Sequence, residues 1–237
     1  MEKVIKYTSS GRQLTGILRS GFSNTCVIFC HGFMGDKDEN TLFSSLAETL
    51  SNHDIGSFRF DFTGCGESEK EALGIQKMDE DLQATRSFLN KIGFKRVFLL
   101  GHSLGCVPIL RSEDPSSHNI LLSPYFKPDN RRIALLEEEV GDNESIEMKN
   151  RFDVKHTISQ SFLEEMKAVD LHNELSEKSS NTTVFLGNSD EIMPEDYYED
   201  ILDMKTELSD VVSLDTGHFY NTNRKPLYDS VVSMIEE

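Results

Sequence analysis

The sequence predicts an α/β fold with a mostly parallel central sheet covered by helices on both faces. Two observations carry that expectation. Short apolar or β-branched runs recur along the chain, and most of them are separated by segments with helical spacing. At 237 residues the chain is long enough to bury a substantial core as one domain, residues 1–237.

The element order opens with Val4 to Thr8 and Leu14 to Arg19, two β-prone runs around Ser10-Gly11 that read as an antiparallel hairpin. Six further runs are expected as sheet strands: Thr25 to Cys30, Ser57 to Phe60, Arg96 to Leu100, Asn119 to Ser123, Thr182 to Leu186 and Val211 to Leu214. Among the intervening segments, Leu42 to Leu50 repeats leucine at 42, 46 and 50. Met78 to Ile92 aligns Leu82, Thr85, Phe88, Leu89 and Ile92 on one helical face. Pro226 to Ile235 begins with proline at a first-turn position, where the missing N–H is tolerated. Residues 127–180 break the alternation. They are highly charged, with helical patterns at Arg132 to Val140 and Ser159 to Leu175 and no convincing strand, and are expected to form an inserted lid. One ordinary crossover helix with long loops is the alternative.

Composition narrows the partners. A formal net charge of −17 and a pI near 4.8 leave no basic stripe to displace counterions from phosphates, so nucleic acid is excluded as a partner. The charge also disfavours an anionic membrane surface, and no run approaches a membrane span of roughly 20 residues. The N-terminal MEKVIKYTSSGRQL lacks the apolar stretch of a signal peptide, so a cytoplasmic protein is expected. Cys26, Cys30, Cys65 and Cys106 lie in or beside apolar segments without zinc spacing and are expected as reduced core thiols. Nothing in the sequence sets the oligomeric state.

The chemistry is concentrated at Gly101-His102-Ser103-Leu104-Gly105. This G-x-S-x-G follows the buried-strand run Arg96 to Leu100 and precedes a helix-compatible stretch, the strand-turn-helix context that lifts a serine hydroxyl clear of a sheet. A serine hydroxyl needs a base, so a histidine held by a carboxylate must accompany it. The expected chain order is Ser, acid, His, and Asp190 and His218 satisfy it, each just past a predicted strand. Glu191 and Asp215 are competing acids. His53, His118, His156 and His172 lie in polar stretches and are expected to be exposed, while His102 points differently on the turn. Asp190, Glu191, Glu195 and Asp196 match no calcium loop, so no metal is expected.

An acyl transfer also needs donors for the developing oxyanion. The backbone N–H of Leu104, directly after the serine, is one candidate. Phe33, in the glycine-punctuated turn His31-Gly32-Phe33-Met34-Gly35, is the other, with His31 expected to hydrogen-bond the loop rather than act as base. Phe33, Met34, Phe152, Phe162 and Met166 are expected to line an acyl pocket, although aromatic and methionine side chains at helical spacing also serve as core packing.

Together these residues resemble the α/β-hydrolase superfamily over nearly the whole chain outside the insertion. His31-Gly32-Phe33 looks like its oxyanion-loop motif, and Asp61-Phe62-Thr63-Gly64-Cys65-Gly66-Glu67-Ser68 like its D-x-x-G-x-G-x-S turn. Gly187-Asn188-Ser189-Asp190 with Pro194 is similar to its acid loop, and Gly217-His218 to its terminal histidine motif. Within the superfamily, HGFMGDKDEN followed by FRFDFTGCGES is similar to bacterial cinnamoyl and feruloyl esterases and related carboxylesterases. The chain departs from them at Cys65, where a bulkier polar residue is frequent, and in its acidic insertion. The resemblance implies a cofactor-free serine hydrolase acting on a small-molecule acyl ester. Thioester hydrolysis or acyl transfer on the same fold, and a non-catalytic binding protein, are the rival readings.

Overall fold

The computed structural model describes residues 2–21, 23–113, 116–193, 196–204 and 207–237. Strands β1 (Glu2–Ser9) and β2 (Arg12–Arg19) form the expected antiparallel hairpin, turning at Ser10 and Gly11, both with positive φ. Then come β3 (Thr25–Cys30), α1 (Leu42–Asn52), β4 (Gly56–Asp61), α2 (Ile75–Lys91), β5 (Arg96–His102), α3 (Cys106–Arg111) and β6 (His118–Leu122). The segment after β6 holds α4 (Asn130–Val140), β7 (Ser145–Lys149), β8 (Lys155–Ser159), α5 (Gln160–Lys167) and α6 (His172–Glu177). The chain closes with β9 (Thr182–Gly187), α7 (Glu199–Asp203), β10 (Asp210–Leu214) and α8 (Lys225–Glu236).

Eight strands make one sheet in the order β1-β2-β4-β3-β5-β6-β9-β10, antiparallel from β1 to β4 and parallel from β4 to β10. The period of two along a strand divides the core between the two sheet faces. On β3, Cys26, Ile28 and Cys30 join a cluster with Leu82 and Leu89 of α2. Val27 and Phe29 join another with Leu46 and Leu50 of α1 and Val231 of α8. The four cysteines are buried and none forms a disulfide; burial raises the thiol pKa of each. Among the described residues no helix is long and apolar enough to cross a membrane.

The region 127–180 differs from the expectation in two respects. It contains an antiparallel hairpin, β7 with β8, where no strand was expected. Ser-Ile-Glu-Met-Lys alternates with period two, turning Ile146 and Met148 inward, but its charge masks that pattern in a hydropathy reading. The helical run at 159–175 is broken into α5 and α6 by residues 168–171, where Leu171 N–H donates to Phe126 O at 2.9 Å. The region is tied down at several points. Glu165 accepts the Ile75 N–H at the start of α2, Leu73 N–H donates to Thr157 O, and Asn150 Nδ2 donates to Met34 O.

His156 is also corrected: it is buried, because β8 turns it inward against Cys65. The turn Asp61 to Ser68 stitches the end of β4 to the loop after β3. Buried Asp61 accepts Lys37 N–H and Nζ and Glu67 N–H, while Ser68 Oγ donates to Asp61 O.

Candidate active site

Strand β5 runs into a single 3-10 turn, Ser103–Gly105, and then α3. Ser103 sits at φ 51°, in the left-handed region that costs an L residue about 1–2 kcal/mol. Tyr125 N–H donates to Ser103 O at 3.1 Å, helping to hold that conformation. Glycine at 105 is a packing requirement: a Cβ there would lie 2.1 Å from Cys30 O and 2.5 Å from His31 O. The turn is thereby pressed against the end of β3, and Ser103 and Leu104 come beside the loop that leaves β3.

His218 follows β10 and is brought to Asp190, which follows β9. Its Nδ1 donates to Asp190 Oδ2 at 2.8 Å, leaving Nε2 as the unprotonated nitrogen of the neutral ring. Asp190 Oδ1 accepts the Ile192 and Met193 N–H groups, and Tyr198 OH donates to Oδ2. Burial pushes the Asp190 carboxyl upward, but these donors and the His218 charge outweigh it and hold its pKa below the ordinary carboxylate value. For His218 burial dominates and lowers the pKa below 6.5, with His102 and Arg132 adding to it against Asp190.

The competing acids take other places. Glu191 accepts the backbone N–H of His218 at 3.0 Å, with its carboxylate so close to Gly217 that a Cβ there would meet Oε2 at 2.3 Å. Asp215 is exposed. Pro194 and Glu195 lie outside the described residues. Buried Tyr220, which no spacing signal singled out, donates its OH to Phe185 O and anchors the turn after His218 to β9.

His31 holds its loop as expected. Phe62 N–H donates to its Nε2 at 3.1 Å, so Nδ1 carries the proton and donates to Gly32 O at 2.9 Å. The N–H of Phe33 makes no hydrogen bond among the described residues. His102 bonds partners other than the serine. Its Nδ1 lies 2.5 Å from Glu39 Oε1 and its Nε2 2.9 Å from His218 O, while Gly32 N–H donates to Glu39 Oε2.

A cleft of about 80 Å³ is lined by Ser103, Leu104, His218, Phe33, Tyr125 and Met166, among others. Met34 and Phe152 line a neighbouring depression of about 240 Å³, and Phe33 is shared by both. Phe162 lines neither. It is fully buried and stacks on Phe33 with centroids 5.8 Å apart, because α5 points it inward behind that ring. Arg132, Leu136, Ile192 and Met193 also line the cleft, and none was expected from the sequence.

Comparisons with known proteins bear on the whole chain. The profile of the alpha/beta hydrolase family matches residues 27–229. Est1E from Butyrivibrio proteoclasticus, solved with ferulic acid bound, is similar with a TM-score of 0.77 and 19% identity over 98% of each chain. The alpha/beta hydrolase GrgF from Penicillium sp. sh18 is similar with a TM-score of 0.81 and 14% identity, over 100% of this chain and 98% of that one. A probable lysophospholipase, BODYGUARD 3 of Arabidopsis thaliana, is 33% identical over 84 residues, 34% of this chain. That match spans only 16% of the plant relative's length. On the family match, which takes in every strand from β4 to β10 and most of β3, the chain belongs to the alpha/beta hydrolase family.

Proposed function

We propose that the chain is a single-domain serine hydrolase that cleaves carboxylic esters through an acyl-enzyme on Ser103. The observation that carries this reading is the 2.8 Å bond from His218 Nδ1 to Asp190, made by an imidazole that lines the same cleft as Ser103. In the proposed reaction His218 Nε2 takes the proton from Ser103 Oγ as the oxygen attacks the ester carbonyl carbon. The oxyanion is stabilised by the N–H groups of Phe33 and Leu104. His218 then gives its proton to the departing alcohol. A water deprotonated by His218 resolves the acyl-enzyme, and Asp190 stabilises the imidazolium in both halves without taking its proton.

Residues 127–180 act as the lid in this reading, with Arg132 and Leu136 of α4 and Met166 of α5 forming part of the cleft wall. The ferulic acid bound to Est1E and the lysophospholipase name of the plant relative agree with an acyl ester as substrate. Buried cysteines without a disulfide fit a reducing compartment such as the cytoplasm.

Nitrophenyl esters of increasing acyl length test the reading, with Ser103→Ala as control. Hydrolysis lost in the variant supports it, and a profile at background for every length overturns it. Acyl thioesters run beside the aryl esters separate a thioesterase. Labelling of Ser103 by a fluorophosphonate separates a non-catalytic binding protein.

A further inference from the structure

We propose that Arg132 is a carboxylate-recognition residue and that the ester hydrolysed at this site carries a second, ionised carboxyl group. The inference rests on the esterase reading for the reaction but on separate observations for the charge.

Arg132 lies in the first turn of α4 and is only partly exposed. Three adjoining depressions open around it, and it shares each of them with Phe33. The first contains Ser103 and His218, so a molecule acylating the serine passes beside the Arg132 side chain.

The chain has 41 acidic and 24 basic residues, so acceptors for a guanidinium are plentiful. Arg12, Arg19, Arg59, Arg111 and Arg131 each have a carboxylate oxygen within 4.0 Å. Among the described residues Arg132 has none at that distance, and its side chain makes no hydrogen bond. Asp129, the acid nearest in sequence, does not fill the place. Its Oδ1 accepts the N–H groups of Arg131 and Arg132 at the start of the helix, and its Oδ2 lies 3.6 Å from Arg131 Nη2.

Removing an unpaired guanidinium from water is unfavourable, and a fork of N–H donors facing a cleft is best satisfied by a planar carboxylate bound through two parallel hydrogen bonds. Nearby, Arg151 stacks over Phe219 at 3.9 Å and also has no carboxylate partner among the described residues, adding positive charge at the mouth. A monoanion fits better than a phosphate dianion. Glu39 and Glu191 stand on the walls of these depressions, Asp190 lies behind His218, and the chain as a whole carries a net charge of −17.

The test compares 4-nitrophenyl esters of the dicarboxylic acids from succinate to suberate, each with one free carboxylate, with alkanoyl esters of equal length. At the best length the wild type should favour the carboxylate-bearing ester by about tenfold or more in kcat/KM, chiefly through KM. Arg132→Gln should collapse that ratio, and Arg132→Lys should restore part of it. A ratio near one at every length, or a ratio that Arg132→Gln leaves intact, overturns the proposal. A second arm does not depend on turnover. Calorimetry on Ser103→Ala should detect binding of a monomethyl dicarboxylate but weaker binding of the dimethyl diester, and Arg132→Gln in that background should remove the difference. Failure of all ester hydrolysis would sink the esterase reading alone, because equal binding of the two diacid esters is the result that refutes the carboxylate site.

Discussion

Glu39 Oε1 lies 2.5 Å from His102 Nδ1, in a buried pair that joins the loop after β3 to the residue immediately before Ser103. The other nitrogen of His102 faces the carbonyl of His218. Both ring nitrogens thus face oxygen acceptors, one a buried carboxylate and the other a backbone carbonyl. Burial pushes the Glu39 carboxyl upward, but the charge and hydrogen bond of His102 hold its pKa below the ordinary value. The backbone is distorted to deliver this group, for Glu39, Asn40 and Thr41 all have positive φ, at 42°, 51° and 67°. Breaking either half leaves an uncompensated buried group. Glu39→Gln and His102→Gln should each destabilise the fold by about 3–5 kcal/mol, with the double variant costing clearly less than the sum. Urea unfolding of the three variants measures this, and simple additivity would mean the two residues do not act as a pair.

His102 also bears on the proposed base. Burial first, then the positive charges of His102 and Arg132, draw the His218 pKa below 6.5, while Asp190 opposes them. The base works only when neutral. Activity should therefore fall with its midpoint below pH 6.5, by tenfold per unit beneath the depressed pKa. Asp190→Asn removes the group that favours the charged ring, so the residual activity should keep its acidic limb still lower, while the rate drops by about 10⁴-fold. The profile of kcat/KM for an uncharged ester between pH 4.5 and 8 checks both. A limb centred above pH 6.5 would contradict the depressed His218 pKa.

Much of this arrangement was legible because it rests on short-range patterns. The run Arg96 to Leu100 followed by a glycine-flanked serine specifies a strand and a sharp turn, and Asp190 and His218 each follow a strand of recognisable composition. Glu39 was not legible. It stands in the polar stretch Asp-Lys-Asp-Glu-Asn, and only the left-handed turn selects it from its acidic neighbours for His102. Arg132 is one of two adjacent arginines at the start of a helix, and which of them faces the cleft depends on how α4 packs on α5. Phe162 was misplaced for the same reason: periodicity identifies a helical face but not whether that face meets substrate or another ring. The hairpin β7-β8 has the right alternation, yet its lysines and glutamates hide it from any scale that averages charge.

Gly105 separates packing from chemistry. A methyl group there has no space, since its nearest neighbours are the carbonyls of Cys30 and His31 on an interior strand end rather than movable side chains. Gly105→Ala should cost about 3 kcal/mol by forcing the turn away from β3. If Leu104 and Phe33 supply the proposed oxyanion donors, displacing one from the other should lower kcat more than KM, since such a donor matters most in the transition state. Denaturation midpoints and steady-state kinetics on the same preparation measure the two effects, and an alanine variant of wild-type stability would refute the close approach.

His156 gives a prediction about acid stability. It is buried on β8 with Nδ1 3.7 Å from Cys65 Sγ, and its Nε2 has no partner among the described residues. Burial, with Lys70 and His31 adding to it, lowers its pKa to about 4. An unfolded chain would protonate the same ring near 6.5. Above that pH neither state carries the proton; between 6.5 and about 4 only the unfolded state binds it, and below about 4 both do. The native state therefore loses stability on acidification through this window, by about 3 kcal/mol at most. Asp79 works in the opposite direction, because burial raises its carboxyl to about 6 and the folded state takes up its proton first. The overall pH trend thus mixes these with other groups, the depressed His218 among them, and His156→Phe isolates this histidine. Urea unfolding at pH 7.5 and 4.5 should show a loss on acidification that is smaller in the variant by about 2 kcal/mol. Equal losses would mean that the ring gains a proton at no cost in the folded protein. Because Thr157 O, one residue on, accepts the Leu73 N–H ahead of α2, a charged His156 should loosen the β7-β8 hairpin before the main sheet. Amide exchange at Leu73 should then accelerate at pH 4.5 relative to the strand amides of β5, after correction for intrinsic rates.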